Sequence, residues 1–168
     1  MIRKYEPADF KYLESWVPDA ALLFQFSGPD WSFPLTAEQV EKHRAADPQR
    51  CMYVGLNTEN EPFAIGEIIW NQPGATRLGR ILIGDTQQRG RGLGTLFVQE
   101  LLNETISALQ PEKVFLYVLE GNAGAIRCYE KIGFRFVESG TRLLPFQGKD
   151  WQMFQMVYTI PQRQLKTI

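Results

Sequence analysis

A strand that runs directly into a glycine-rich loop and then into a long helix is the feature that most constrains this chain. It spans Ile81 to Gly94, where an apolar run is followed by a loop that carries Gly90, Gly92 and Gly94 and two arginines. Because glycine lacks a Cβ atom, the main chain of such a loop can approach a ligand closely. The helix behind the loop directs its unpaired N–H groups and its positive dipole end toward it. We therefore predict a site for a phosphate or pyrophosphate group.

The segments after this loop predict a parallel crossover. Apolar residues recur at three- and four-residue steps from Leu93 to Leu109, which predicts an amphipathic helix that Pro111 ends. The apolar run Val114 to Leu119 is typical of a strand that is covered on both faces. Strand, helix and strand in this order imply a right-handed crossover between parallel strands.

The strands before the crossover are joined by short turns, so they must pair in an antiparallel way. Besides the strand Val114 to Leu119, the predicted strands are Ile2 to Tyr5, Cys51 to Leu56, Phe63 to Trp70, Leu78 to Asp85, Phe134 to Glu138 and Trp151 to Ile160. A loop that contains Pro145 and Gly148 is predicted between the last two. The fold class is therefore a mixed α/β sheet of six to seven strands with helices on both faces.

Three further helical segments are predicted from local signals. Thr36-Ala-Glu-Gln39 resembles a capping box, so a helix is expected to start there. Asn122 is a suitable N-cap for a short helix that ends near Gly133. The aromatic stretch from Ala20 to Phe33 contains Gly28-Pro29 and is interpreted as a loop or a broken helix.

Length and composition indicate a single domain over residues 1–160, followed by a polar tail over 161–168. The formal net charge of −1 provides no field that would recruit nucleic acid. The N-terminus lacks the apolar core of a signal peptide, and no apolar run approaches the roughly 20 residues of a membrane span. Cys51 and Cys128 are expected to be reduced thiols, and the protein is expected to be cytoplasmic.

Two segments resemble the signatures of the GCN5-related N-acetyltransferases. Arg89-Gly90-Arg91-Gly92-Leu93-Gly94 matches the Arg/Gln-x-x-Gly-x-Gly/Ala motif, and Asn122 to Phe134 is similar to the second signature. The resemblance implies the acyl-CoA N-acyltransferase fold and transfer of an acetyl group from acetyl-CoA to a primary amine. Direct attack in a ternary complex is implied, with no metal. The N-terminal half resembles the branch that acetylates ribosomal protein N-termini, aminoglycosides or polyamines.

The same resemblance implies a set of residues that bind acetyl-CoA. The strand main chain would pair with the pantetheine arm, the loop would hold the pyrophosphate, and the short helix would contact the rest of the cofactor. The implied residues are Ile81, Leu82, Ile83, Arg89, Gly90, Arg91, Gly92, Leu93, Gly94, Thr95, Asn122 and Tyr129. A glycine-rich turn before a helix also occurs without any ligand, and Asn122 also has a role as a helix cap.

Two residues are candidates for catalysis. In the family, the tyrosine at the position of Tyr129 lies near the cofactor sulfur, and a phenol can protonate a departing thiolate. Glu67 interrupts an apolar row on its strand, which predicts a raised pKa and a role as base, directly or through water. The alternative is a solvent-facing register for Glu67. Asp85 either acts near the cofactor or caps the loop. Some relatives carry a glutamate where this chain has Tyr117, which puts that version of the mechanism in doubt.

The remaining candidates concern the acceptor side and the rival functions. His43 is expected on the protein surface, and Arg77 and Arg80 are interpreted either as phosphate ligands or as solvated edge residues. The family builds its acceptor pocket where this chain has the following aromatic residues: Phe24, Phe26, Trp31 and Phe33. The sequence leaves a homodimer open. The rival functions are a non-catalytic acyl-CoA sensor and a binder of another phosphorylated ligand.

Overall fold

Seven strands and five α-helices form the part of the chain that this computed structural model describes, residues 1–84 and 89–161. The strands are β1 (Ile2–Lys4), β2 (Arg50–Leu56), β3 (Pro62–Gln72), β4 (Ala75–Ile83), β5 (Lys113–Leu119), β6 (Arg135–Phe146) and β7 (Lys149–Thr159). The helices are α1 (Phe10–Trp16), α2 (Ala20–Ser27), α3 (Ala37–Ala46), α4 (Leu93–Leu109) and α5 (Ala123–Ile132). Within these ranges, no helix is long and apolar enough to cross a lipid bilayer.

The strands form one mixed sheet in the order β1-β2-β3-β4-β5-β7-β6. Only β4 and β5 pair in parallel among these strands, and α4 provides the crossover between them. The predicted fold class is confirmed, including the antiparallel strands that precede the crossover. The predicted end of β4 at Asp85 and most of the predicted tail, residues 162–168, lie outside the described residues.

Helices cover both faces of the sheet and bury two separate cores. On one face, α4 and α5 pack their apolar residues against the central strands, with Phe97 and Leu101 fully buried. On the other face, α1 to α3 contribute Leu13, Leu23 and Val40 to a second core. A Cβ atom at Gly66 would lie 2.7 Å from Leu101 and 3.0 Å from Phe97, so a residue without a side chain lets α4 sit directly on β3.

The helical segments start where the local signals predict. Thr36 caps α3, because its hydroxyl accepts a hydrogen bond from the Gln39 N–H at 3.3 Å. The Gln39 side chain does not complete a capping box, since it bonds to Ser32 and Pro34 in the preceding loop. Of the two interpretations of the stretch from Ala20 to Phe33, the broken helix is correct: α2 ends at Ser27 and a 3₁₀ turn, Gly28–Asp30, follows.

The connection between β6 and β7 is much shorter than predicted. Pro145 lies within β6, paired with Asp150, and only Gln147 and Gly148 form the turn. Both turn residues have positive φ angles, 49° and 75°, as the tight two-residue hairpin requires. Because β6 is the edge strand of the sheet, the missing N–H of Pro145 breaks no ladder there. The prediction of a loop was wrong because a proline does not interrupt an edge strand.

The end of β4 is fixed by a close contact between Gly84 and Trp16. The Gly84 N–H donates to the Phe63 carbonyl at 2.8 Å, and the indole of Trp16 occupies the space that a Cβ atom of Gly84 would need. This contact fixes the end of α1 against the strand just before the glycine-rich loop.

We expect Gly84→Ala to destabilise the protein by about 1 to 3 kcal/mol, because the added methyl group overpacks this contact. Chemical denaturation would measure the change in the free energy of unfolding. Gly124→Ala is the matched control, since a Cβ atom there meets nothing within 4 Å and Gly124 lies in α5. Trp16→Ala in the Gly84→Ala background should recover part of the loss. Equal stability of Gly84→Ala and the unmodified protein would contradict the contact.

Candidate active site

The sheet opens in the middle, where β4 and β5 separate. Their parallel pairing runs from Ala75–Lys113 to Leu78–Leu116 and includes no later residues of β4. A bulge begins at the same point: β3 pairs Glu67 with Gly79 and Ile65 with Leu82, so β4 carries one extra residue. Arg80 lies in the bulge with a φ of 47°. The strand edge from Ile81 to Ile83 therefore faces a gap rather than a partner strand.

A cavity of about 470 Å³ occupies this gap. Main-chain and side-chain atoms from β4, the glycine-rich loop, α4, β5, α5 and α2 line it. The predicted cofactor residues that line it are Ile81, Leu82, Ile83, Arg89, Gly90, Gly92, Gly94, Thr95, Asn122 and Tyr129. Arg91 and Leu93, which were also predicted, are not in the lining. The structure thus places most of the predicted set around one space of the size that small-molecule sites have.

The glycine-rich loop presents the start of α4 to this cavity. Gly90 and Gly92 have φ angles of 79° and 82°, which residues with side chains rarely adopt. Gly92 precedes α4, and no side chain in the described residues caps that helix. The Arg89 guanidinium donates to the Ile83 carbonyl at 3.1 Å and so ties the loop to the end of β4. The first N–H groups of α4 remain available for an anion.

Helix α5 contributes the second predicted signature. The Asn122 side chain accepts from the Ala125 N–H at 3.3 Å and caps the helix, as predicted. Tyr129 lies two turns later and is buried, with its ring centroid 6.1 Å from that of Phe134. Burial, and next the neighbouring Cys128, raise the pKa of the Tyr129 phenol above its ordinary value of 10. The phenol therefore stays protonated throughout the neutral pH range.

Sequence reasoning missed several lining residues on α5 and β5, namely Val118, Leu119, Ala125, Arg127, Cys128 and Lys131. Arg127 and Lys131 are four residues apart on α5, a spacing that could have indicated a basic helix face toward a phosphate. Cys128 Sγ lies 3.5 Å from the Thr95 hydroxyl, so this thiol sits between α5 and α4. Burial raises the pKa of Cys128, although Thr95 and Lys131 act in the opposite direction.

The predicted acceptor aromatics separate into different environments. Phe26 lines the cavity together with Leu22 and Gln25 from α2. Phe24 stacks on Phe146 of β6, with ring centroids 4.2 Å apart. Trp31 is buried beneath the β4 bulge, and Phe33 is exposed.

Glu67 differs most from its prediction. Its side chain is 0% exposed and does not line the cavity. Arg80 Nη1 donates to Glu67 Oε2 at 2.6 Å, and His43 Nε2 lies 2.8 Å from Oε1. Burial alone would raise the pKa of Glu67, but the His43 hydrogen bond and the charges of Arg80, His43 and Arg50 outweigh it and lower the pKa below its usual value. The predicted raised pKa is wrong because three partners stabilise the charged form.

The contacts around Glu67 also decide the predictions for His43 and Arg80. His43 lies on α3 with its side chain only 11% exposed, so it is not a surface residue. Arg80 pairs with Glu67 and Asp30, and its guanidinium lies 5.0 Å from the Trp31 ring centroid. Arg80 is therefore neither a phosphate ligand nor a solvated edge residue. It connects the β4 bulge to the 3₁₀ turn that follows α2. Arg77 does not line the cavity, and burial lowers its pKa.

The sheet that opens over a glycine-rich loop defines the acyl-CoA N-acyltransferase fold of the GCN5-related class, which the two signatures predicted. The model of the FR47-like protein family matches residues 53–143, just over half of the chain. The chain belongs to this family, and its resemblance to the GCN5-related N-acetyltransferases is confirmed.

Comparisons with individual proteins agree on the fold. Spermidine N-acetyltransferase from Vibrio cholerae, solved with CoA and spermine, superposes with a TM-score of 0.79 at 16% identity, covering 99% of this chain and 98% of that one. An aminoglycoside acetyltransferase solved with coenzyme A gives a TM-score of 0.76 at 22% identity, covering 99% and 96%. A spermine/spermidine N(1)-acetyltransferase of Bacillus subtilis is 32% identical over 66 residues, 39% of this chain. The matched segment spans 43% of that relative's length.

Proposed function

We propose that this protein transfers an acetyl group from acetyl-CoA to a primary amine by direct attack in a ternary complex. The observation that carries the proposal is the cavity where β4 and β5 separate, with the glycine-rich loop at one end and Tyr129 in its wall. The fold neighbours that were solved with CoA support a coenzyme A ligand. All three relatives named above are N-acetyltransferases or acetyltransferases, which supports an amine as acceptor.

Charges in the cavity suit the anionic donor. Arg89, Arg127 and Lys131 line it, and they would attract the phosphates, whose pyrophosphate oxygens would accept from the N–H groups at the start of α4. The main chain of Ile81 to Ile83 has no partner from β5 in the described ladder, so it can pair with the amide-rich pantetheine arm as an added strand would. Arg91 and Leu93 do not line the cavity, and we assign them no side-chain contact with the donor.

The reaction needs one group that protonates the departing sulfur and one path that removes a proton from the amine. The amine nitrogen attacks the thioester carbonyl, the C–S bond breaks, and the departing sulfur takes its proton from the Tyr129 phenol. The amine loses a proton in the same reaction. Within the described lining of this cavity no carboxylate is present to take it, so we assign that proton to water, which also returns a proton to the Tyr129 phenolate at the end of the reaction. We propose that Glu67, through Arg80, holds the β4 bulge against the 3₁₀ turn that follows α2. It is not a base in contact with substrate.

The most direct test is a screen of primary amines with acetyl-CoA, in which release of the coenzyme A thiol and the mass of the acetylated product are both measured. Turnover that depends on the amine would support the proposal. Tight binding of coenzyme A by calorimetry without turnover on any amine would favour a non-catalytic acyl-CoA sensor. Binding of pyrophosphate that pantetheine does not strengthen would favour a binder of another phosphorylated ligand.

Cys128 provides a test of the binding site that does not depend on turnover. We expect coenzyme A at ten times its dissociation constant to slow alkylation of Cys128 by N-ethylmaleimide about 10-fold, because the ligand would occupy the cavity that this thiol lines. Peptide mass spectrometry at mildly alkaline pH would follow both cysteines. Cys51 is the internal control, since it is half-buried on β2 outside the cavity. Equal rates for Cys128 with and without coenzyme A would place the ligand elsewhere.

Three further predictions remain proposals. We propose that residues 1–160 form one domain and that the protein works in the cytoplasm, where its free cysteines would stay reduced. A homodimer also remains a prediction, and light scattering of the purified protein would test it.

A further inference from the structure

A second cavity of about 400 Å³ adjoins the first on the side of α2 and the β6–β7 hairpin. The two cavities share lining residues from three elements, namely Gln25, Leu119, Asn122 and Gly124. If the first cavity holds the donor, as proposed above, the second is the adjoining space from which an acceptor can reach it. The inference that follows rests on that proposed function.

The walls of the second cavity are largely apolar and aromatic. Phe24 and Phe146 stack with their planes 4° apart and join α2 to the tip of the hairpin. Trp151 lines the cavity from β7, and Leu119 lines it from the end of β5. Planar apolar walls of this kind bind a flat apolar ligand group most favourably.

The charges around the two cavities differ in sign and number. Every charged residue that lines the first cavity in the described part of the chain is basic: Arg80, Arg89, Arg127 and Lys131. Glu120 is the only charged residue of the described lining of the second. The Gln152 N–H donates to Glu120 Oε1 at 2.9 Å, which fixes the carboxylate at the end of β5.

A polyamine would be poorly matched to this arrangement. One carboxylate can compensate one ammonium group, whereas further ammonium groups would meet no other acidic residue in the described linings. Lys149 also places its Nζ atom 3.8 Å from the Trp151 ring centroid, which adds a positive charge beside the second cavity. A positive charge beside the cavity disfavours a ligand that carries several positive charges.

We propose that the acceptor is a small primary monoamine with an apolar, aromatic-sized body. The body would lie between Trp151 and the Phe24–Phe146 pair, and Glu120 would attract the single ammonium group. The amine would then reach the donor past Leu119 and Asn122, which line both cavities.

The experiment compares 2-phenylethylamine with spermidine as acceptors and adds a binding measurement. We expect the kcat/KM for 2-phenylethylamine to exceed that for spermidine at least about 10-fold. Trp151→Ala and Glu120→Gln should each raise the KM for 2-phenylethylamine about 10-fold, with the dissociation constant of coenzyme A unchanged. Leu143→Ala is the control on the same hairpin, because Leu143 is 62% exposed and lines neither cavity.

Each outcome separates this inference from the proposed function. Turnover with spermidine equal to or better than with 2-phenylethylamine would overturn the inference and leave the acetyltransferase function intact. Calorimetry with the coenzyme A complex covers the case without turnover: binding of 2-phenylethylamine that Glu120→Gln weakens would support the inference while the transfer reaction fails. Absence of both turnover and binding with 2-phenylethylamine would overturn the inference, and the screen of primary amines described above would decide the proposed function separately.

Discussion

Replacing Tyr129 with phenylalanine is expected to slow acetyl transfer about 100-fold, while the binding of coenzyme A stays within about twofold. Only the hydroxyl group of the side chain is removed, and this group is the proposed proton donor for the departing thiolate. The ring packs against Phe134 and is retained in the variant, so the helix and its cap should be unaffected. Steady-state measurement of product formation, together with calorimetry, would separate the two effects.

The pH dependence provides a second check on the same residue. Because burial raises the pKa of Tyr129, its proton is present at neutral pH and is lost only in strongly alkaline solution. We therefore expect no loss of rate from this group between about pH 7 and 9. Tyr158→Phe is the matched control, since the ring of Tyr158 also packs on Phe134 but does not line the cavity. An unchanged rate in Tyr129→Phe would remove this phenol from the mechanism.

Replacing Glu67 with glutamine is expected to destabilise the protein by about 3 to 5 kcal/mol at neutral pH. The variant would keep the shape of the side chain but remove part of the negative charge that compensates Arg80 and Arg50, leaving Asp30 and Asp47 as their carboxylate partners. Buried cations that lose compensating charge are costly, because the protein interior solvates them poorly. Chemical denaturation would measure the free energy of unfolding.

The sign of the pH dependence follows from the lowered pKa of Glu67. The folded-state pKa lies below the ordinary value of 4.5, so the contribution is fully present above that pH and is lost as the pH falls through the folded-state pKa. The difference in stability between the unmodified protein and Glu67→Gln should therefore shrink below about pH 4.5.

Glu41→Gln is the control for this prediction, because Glu41 pairs with Arg44 at 2.8 Å with its side chain 43% exposed. An exposed pair contributes little, and we expect a change of less than about 1 kcal/mol. If Glu67→Gln lowers the free energy of unfolding as little as Glu41→Gln does, the ion pairs of Glu67 do not stabilise the fold as proposed.

Local signals were sufficient for the elements that surround the first cavity, between β4 and β5. The periodicity from Leu93 to Leu109 predicted α4, and Gly90 and Gly92 marked the loop before it. Asn122 predicted both the start of α5 and a lining residue. These features are encoded within a few consecutive residues, so their conformation follows from backbone preferences and helix capping.

The β4 bulge and the second cavity could not be predicted in the same way. The bulge at Arg80 depends on how β4 pairs with β3, and no nearby residue signals it. The second cavity is formed where the tip of the hairpin meets α2, more than a hundred residues away in the chain. Sequence patterns indicate that Phe24 and Phe146 are apolar, but they do not indicate that the two rings stack.

The class of fold, the glycine-rich loop before α4 and the order of strands and helices could therefore be predicted from the sequence, because each of these follows from short-range geometry. The direction in which the pKa of Glu67 shifts depends on the folded arrangement of the chain. Its pattern along β3 left a buried position and a solvent-facing register open, and burial alone raises the pKa of a carboxyl group. The partners that reverse this shift lie 24, 17 and 13 residues away, on α3, β2 and β4. The charge of a buried group depends on which neighbours the fold brings to it.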